Sequence, residues 1–280
     1  MATQEREFIG RHGQRIVYDV HEPQGSPRGV VIVAHGLGEH GGRYGHVADR
    51  LVGAGYRVAI PDHLGHGRSG GKRLRVNGFD DFTGDLEQVR AAVVVDGTPT
   101  FLLGHSMGGA IALDYALDHQ DVLDGLVLSA AAVVPGDDLS AAAIRFAKIA
   151  GKIAPGLPTT AVNAASISRD PDVVAAYDAD PLVSRGRIPA GLGAAMLNAM
   201  AGFPDRLPSL RIPTLVLHGS ADLLTDPRGS ELVARLAASD DLTHTVYDGL
   251  YHEIFNEPEK ETVLDELVEW LQTRTPAATG

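Results

Sequence analysis

Ser106 is where chemistry first becomes legible in this chain. It stands in Gly104-His105-Ser106-Met107-Gly108-Gly109, between the apolar run Phe101-Leu102-Leu103 and the helical pattern Ala110 to Ala116. A G-x-S-x-G segment placed between a strand and a helix pushes a serine hydroxyl out of a cramped turn, and its flanking glycines meet the steric demand. A serine hydroxyl is a weak nucleophile until a neighbouring base takes its proton. Nucleophiles of this kind are followed along the chain by an acid and then a histidine. Of the 12 histidines, only His244 and His252 come late enough. His244 falls inside the strand pattern Thr243 to Tyr247, whereas His252 lies in the loop after it, where an imidazole can reach back over a sheet. The acid should follow the apolar run Thr214 to His218, and both Asp222 and Asp226 do. Asp226 precedes Pro227 and a helix near Arg228, which makes it a natural helix cap. Asp222 lies nearer the strand end and has no such duty. The expectation is acyl transfer with Ser106 as nucleophile, His252 as general base and Asp222 as its orienting acid, Asp226 being the alternative.

An acyl-transfer site also needs backbone N–H donors where negative charge develops. Met107 supplies one by position, directly after the nucleophile. The loop His35-Gly36-Leu37-Gly38-Glu39-His40-Gly41-Gly42 follows an early apolar run, and Leu37 is its expected donor. His35 precedes the turn and reads as scaffolding. Pro61-Asp62-His63-Leu64-Gly65-His66-Gly67-Arg68-Ser69 carries metal-binding residue types, but its carboxylate supply is thin. A tight hydrogen-bonded turn is expected there, and no metal.

The elements that must hold these residues can be read from hydrophobic pattern. Gly29–Ala34, Tyr56–Ile60, Thr100–Leu103, Gly125–Leu128, Ile212–Leu217 and Thr243–Tyr247 are short apolar runs separated by helical stretches. Continuous apolar strands of this kind are buried on both faces. The fold class is therefore α/β, a mostly parallel central sheet with helices on both sides. Residues 135–207 hold no convincing strand and are rich in Ala, Gly and Pro, so they read as a helical cap inserted into a core formed by 1–134 and 208–280. A helix from about Glu259 to Gln272 presents Val263, Leu264, Leu267, Val268 and Leu271 on one face.

Composition removes several classes of function. The chain has no cysteine among its 280 residues, which excludes disulfides, thiolate catalysis and cysteine-bound metals. Its net charge of −12 argues against nucleic acid, because phosphate binding needs a basic face. No apolar run approaches the roughly 18 residues of a spanning helix, and the charges in MATQEREFIG oppose a signal peptide. A cytoplasmic or peripherally membrane-attached protein is expected. Ala141 to Ile153 reads as a helix with Phe146, Ile149, Ala150 and Ile153 on one face and Arg145, Lys148 and Lys152 on its flank. That stripe either packs on the core or lies in a lipid interface.

The ordered set HGLGEHGGRY, PDHLGHGRSGG, GHSMGG, LHGSADLLTDP and YDGLYHE resembles the monoacylglycerol lipase family of α/β-hydrolases across the whole catalytic core. The resemblance implies a cofactor-free enzyme that splits monoacylglycerols into fatty acid and glycerol. It points to the same triad, Ser106, Asp222 and His252, and to Leu37 and Met107 as oxyanion donors. It also implies that Glu39 and Arg43 shape the glycerol end of the pocket; read from the residues alone, they could equally form a salt bridge within the loop. The chain departs from the family's mammalian members at Thr225, where they carry cysteine, and at Phe255, where they carry histidine. Oligomeric state is left open. A broader carboxylesterase or lysophospholipase is the alternative within the same chemistry, although Glu39 near a head group would repel phosphate. A non-catalytic binding protein on this scaffold is the alternative outside it.

Overall fold

The computed structural model describes residues 2–137 and 139–276. Its centre is an eight-stranded sheet in the order β1-β2-β4-β3-β5-β6-β7-β8. The strands are β1 (Ala2–Ile9), β2 (Arg15–Glu22), β3 (Gly29–Ala34), β4 (Tyr56–Pro61), β5 (Thr100–His105), β6 (Gly125–Ser129), β7 (Thr214–Gly219) and β8 (Leu242–Tyr247). From β3 to β8 every pairing is parallel. β2 joins β4 antiparallel, and β1 folds back on β2 as an exposed edge. That hairpin escaped the sequence reading because β1, with Gln4, Glu5, Arg6 and Glu7, carries no apolar run.

Alternate residues of the parallel strands feed opposite faces, as a period of two requires. Val30, Ile32, Leu102, Leu126, Leu128 and Val216 enter one apolar layer. It is covered by α2 (Asp80–Val93), α3 (Met107–Asp118), α6 (Ala190–Arg206) and α7 (Arg228–Leu236). Val31, Val33, Phe101, Leu103, Val127 and Leu215 enter the other, beneath α1 (Gly45–Gly53) and α8 (Lys260–Thr273). Val263, Leu264, Leu267 and Leu271 of α8 are buried there, with Val268 packed at the margin. The fold class expected from the sequence is the one observed.

Between β6 and β7 the chain leaves the sheet and forms α4 (Ala141–Ile153), α5 (Pro171–Ala179) and α6. α4 rests on α6 at its small residues, since a Cβ on Gly151 would meet Ala194 Cβ at 2.3 Å. Its other face is turned to solvent, with Phe146 70%, Ile149 47% and Ile153 80% exposed. Of the two outcomes open for this stripe, packing on the core is excluded. Among the described residues, no helix is long and apolar enough to cross a membrane.

Candidate active site

Strand order reverses between β3 and β5, which lie side by side while their connections run to opposite sides. Open α/β sheets bind ligands outside the carboxyl ends of strands at such a point. The loop after β3 carries Leu37 and the turn after β5 carries Ser106, so topology alone brings them together.

Ser106 occupies that turn at φ 56° and ψ −120°. A side chain in this region costs on the order of 1–3 kcal/mol, and the surroundings hold it there. The Ser106 amide donates to Ser129 O at 3.0 Å, and its carbonyl accepts from Ala110 N at 3.1 Å and Ala132 N at 3.0 Å. The neighbouring glycines are obligatory on steric grounds. A Cβ on Gly104 would come within 2.2 Å of Gly108 O, and one on Gly108 within 2.1 Å of Ala34 O.

Asp222 reaches His252 with a 2.7 Å bond between Oδ2 and Nδ1, which leaves Nε2 for proton transfer. The same Oδ2 meets His218 Nε2 at 3.1 Å and Thr225 Oγ1 at 2.8 Å, while Oδ1 accepts from Leu224 N at 2.7 Å and Thr225 N at 3.0 Å. Burial opposes charge on Asp222. His252, His218 and the Leu224 amide outweigh it and hold the carboxyl well below the usual range. Burial likewise opposes protonation of His252, but Asp222, Glu253 and Glu39 overcome it and raise its pKa. An imidazole so placed can accept a proton and be stabilised as the cation that results. Among the described residues no hydrogen bond joins Ser106 to His252; such bonds tighten when substrate binds.

Asp226 is occupied elsewhere, accepting from Arg228 N at 2.9 Å and pairing with the Arg228 guanidinium. The loop bearing His252 is braced from the inserted segment. Glu253 N donates to Ile167 O at 2.8 Å, and buried Glu257 accepts from Arg169 N at 2.6 Å and Tyr251 N at 3.2 Å.

Leu37 and Met107 have amides that meet no acceptor of the protein among the described residues. His35 Nε2 accepts from His63 N at 3.0 Å, so its Nδ1 carries the hydrogen and donates to Gly36 O at 2.8 Å. The Gly36 carbonyl and the Leu37 N–H belong to one planar peptide and point opposite ways. Holding the first aims the second.

Glu39 accepts from Gly36 N at 2.5 Å and from Tyr44 OH at 2.7 Å. Arg43 bridges Glu39 at 2.7 Å and both oxygens of Glu253 at 2.5 and 2.8 Å, beneath the Tyr177 ring. The salt bridge left open as one alternative for this loop is present and is enlarged by Glu253. Glu39 and Glu253 line the cavity described next; Arg43 stands behind them. Thr225 also lines it, whereas Phe255 is buried in the apolar layer beneath α8. Glu253 carried no sequence signal of its own, because its partner Arg43 is remote in the chain; His218 and Thr225 lie within four residues of Asp222, but only the folded turn shows that their side chains meet its carboxylate.

These groups open on a cavity of about 860 Å³. Ser106, Leu37, Asp222, His252 and Glu39 line it, together with the apolar side chains of Ala147, Ile188, Met196, Leu197 and Met200. The arrangement suits a substrate with a small polar end and a long apolar one.

A family model described as serine aminopeptidase, S33, matches residues 25–259. The monoacylglycerol lipase of Mycolicibacterium smegmatis is 45% identical over 269 residues, covering 95% of this chain and 96% of that protein. Monoglyceride lipase of Homo sapiens is 36% identical, covering 97% of this chain and 91% of its own. The crystal structure of Paleococcus ferrophilus monoacylglycerol lipase superposes with a TM-score of 0.84 at 33% identity, over 98% of this chain and 100% of that one. With an eight-stranded α/β sheet and relatives of this similarity along nearly its whole length, the chain belongs to the monoacylglycerol lipase family of α/β-hydrolases and is a carboxylic ester hydrolase.

Proposed function

We propose that the chain hydrolyses monoacylglycerols to fatty acid and glycerol through an acyl-enzyme. The observation that carries this is one cavity lined by Ser106, by the bonded pair Asp222 and His252, and by apolar side chains of α4 and α6. In this reading His252 Nε2 takes the Ser106 proton as Oγ attacks the ester carbonyl. The Leu37 and Met107 amides receive the oxyanion, and His252 returns the proton to the departing glycerol oxygen. Water then repeats the sequence against the acyl-enzyme and releases the fatty acid. No cofactor or metal takes part.

Glu39 binds a glycerol hydroxyl, and Arg43 holds Glu39 and Glu253 in place. Residues 135–207 act as a cap over the core of 1–134 and 208–280. The exposed stripe of α4, flanked by Arg145, Lys148 and Lys152, rests on a lipid surface, which suits a cytoplasmic or peripheral protein meeting its substrate at a membrane.

The test is a substrate panel with site variants. Mono-olein should be cleaved in preference to triolein, lysophospholipid and aminoacyl amides. Ser106→Ala, Asp222→Asn and His252→Ala should each lower kcat by about a thousandfold or more. A fluorophosphonate should label Ser106, and Asp226→Asn should stay close to the parent. Equal rates on mono-olein and triolein would overturn the substrate assignment, and activity retained in Ser106→Ala would overturn the mechanism.

A further inference from the structure

Leu37 sits between two peptides that are each held from a different side. The Gly36 carbonyl is held by His35, from within the core. The Gly38 carbonyl is held by Ser184 N at 2.7 Å, from the inserted segment just after α5. Gly38 has φ 80°, and a Cβ there would approach Ser184 O to 3.0 Å, so the inserted chain passes directly over this turn.

A second contact fixes the same segment on the same loop. Buried His40 accepts from Gly42 N at its Nδ1, 3.2 Å away. The hydrogen is therefore on Nε2, which meets Asp180 Oδ2 at 2.8 Å. The other oxygen of Asp180 accepts from Leu182 N at 2.8 Å, and Arg185 donates to the Asp180 carbonyl at 2.8 Å. Asp180 thus closes the turn that presents Ser184 to Gly38 and anchors that turn to His40. Its carboxylate charge is favoured by these bonds, which outweigh its partial burial.

We infer that Asp180 is a positioning residue for the reaction: through His40 and the Ser184 amide it fixes the loop that aims the Leu37 N–H, so the inserted segment helps build the oxyanion hole as well as the substrate channel. This rests on the proposed role of Leu37 as oxyanion donor. Neither His40 nor Asp180 lines the cavity, so loss of the contact should act on the transition state and leave substrate affinity alone.

The experiment compares Asp180→Ala, His40→Leu and the double variant in the full chain. Each is measured for kcat and KM on a soluble short-chain monoacylglycerol. Each is also measured for inhibition by an alkyl trifluoromethyl ketone and by the matching secondary alcohol. Ser106 Oγ adds to the ketone carbon, the C=O π pair becomes an oxyanion, and the serine proton passes to His252. The ketone therefore reads the hole, whereas the alcohol reads only the channel. Losing one oxyanion donor costs about a hundredfold to a thousandfold; displacing one should cost about tenfold. Asp180→Ala should lower kcat and ketone affinity in parallel by about tenfold, with KM and alcohol affinity unchanged. The double variant should be no worse than the worse single one.

Unchanged kcat and ketone affinity, additive losses, or a loss confined to KM would overturn the inference. Asp180→Asn, which keeps the side-chain shape, should shift the same two quantities in the same direction if Asp180→Ala fails to fold. Fluorophosphonate labelling of the parent enzyme separates the two levels. If Ser106 is not labelled, the underlying mechanism fails; if it is labelled while Asp180→Ala behaves as the parent, only the present inference fails.

Discussion

Acid should unfold this protein at a pH where most carboxylates are still ionised, because it buries neutral histidines. His35, His63 and His66 form one cluster behind the loop after β3, with the His35 ring 4.2 Å from His63 and 5.3 Å from His66, against Phe82. Burial, reinforced by His66, pushes His63 down to about 3; burial pushes His66 down to about 4. His105 is pushed down to about 3 by burial and by the neighbouring His252. His35 is lowered well below its ordinary value for the same reasons. Between 6.5 and these folded-state values the unfolded chain binds more protons than the folded one, so stability is complete above 6.5 and falls as pH drops. Each such group costs about 1.4 kcal/mol per pH unit. At pH 5 the three groups His63, His66 and His105 together cost about 6 kcal/mol, and His35 adds in the same direction. That is comparable with the total stability of an ordinary domain, about 5–15 kcal/mol.

His21, His46 and His244, lowered by burial, add to the decline, and the groups that act otherwise change it little. Asp85, raised to about 6 chiefly by burial, takes up its proton first in the folded chain and opposes part of the loss below pH 6. His252, with a raised pKa, contributes fully below 6.5 and adds no slope there. Asp222, held low, contributes above its ordinary value and begins to lose that contribution only below about pH 4. Urea unfolding from pH 7 to pH 5 should show the decline directly. His63→Leu removes one of these groups, whose Nε2 has no partner among the described residues, and should flatten the curve by about 1.4 kcal/mol per pH unit. Parallel curves for the parent and His63→Leu would refute the reasoning.

Two further outcomes are expected. Phe146→Ser with Ile153→Ser removes two exposed apolar side chains from α4, at about 1.5 kcal/mol each. It should weaken binding to anionic liposomes by about a hundredfold, with thermal stability and short-chain ester turnover unchanged; unchanged liposome binding would refute the lipid contact. Gly193 of α6 lines the cavity, and a Cβ there meets nothing within 4 Å. Gly193→Ala should stabilise by about 0.5–1 kcal/mol, while Gly193→Leu should lower long-chain relative to short-chain kcat/KM by about tenfold or more, and an unchanged chain-length profile would place the acyl path elsewhere.

The sequence by itself determined the elements whose signal is local. The apolar runs became β3 to β8, and Gly104, Ser106 and Gly108 marked a turn that only glycine can flank. The separate duty of Asp226 was also legible, because a carboxylate before Pro227 is placed to cap a helix, and Asp226 accepts the Arg228 amide. The edge strand β1 was not legible, since its partner is β2 and its own residues are mostly polar. Nor was the fate of α4. Periodicity defines an apolar stripe but not which face meets a neighbour, and here the small residues around Gly151 take the contact with α6. Only the tertiary structure brought Glu253 onto Arg43 and Asp180 onto His40, and only the folded turn shows His218 and Thr225 meeting the nearby Asp222 carboxylate. Each of those bonds joins side chains whose individual types are ordinary on a protein surface. Their meaning comes from burial and from one specific partner, and both are properties of the folded chain.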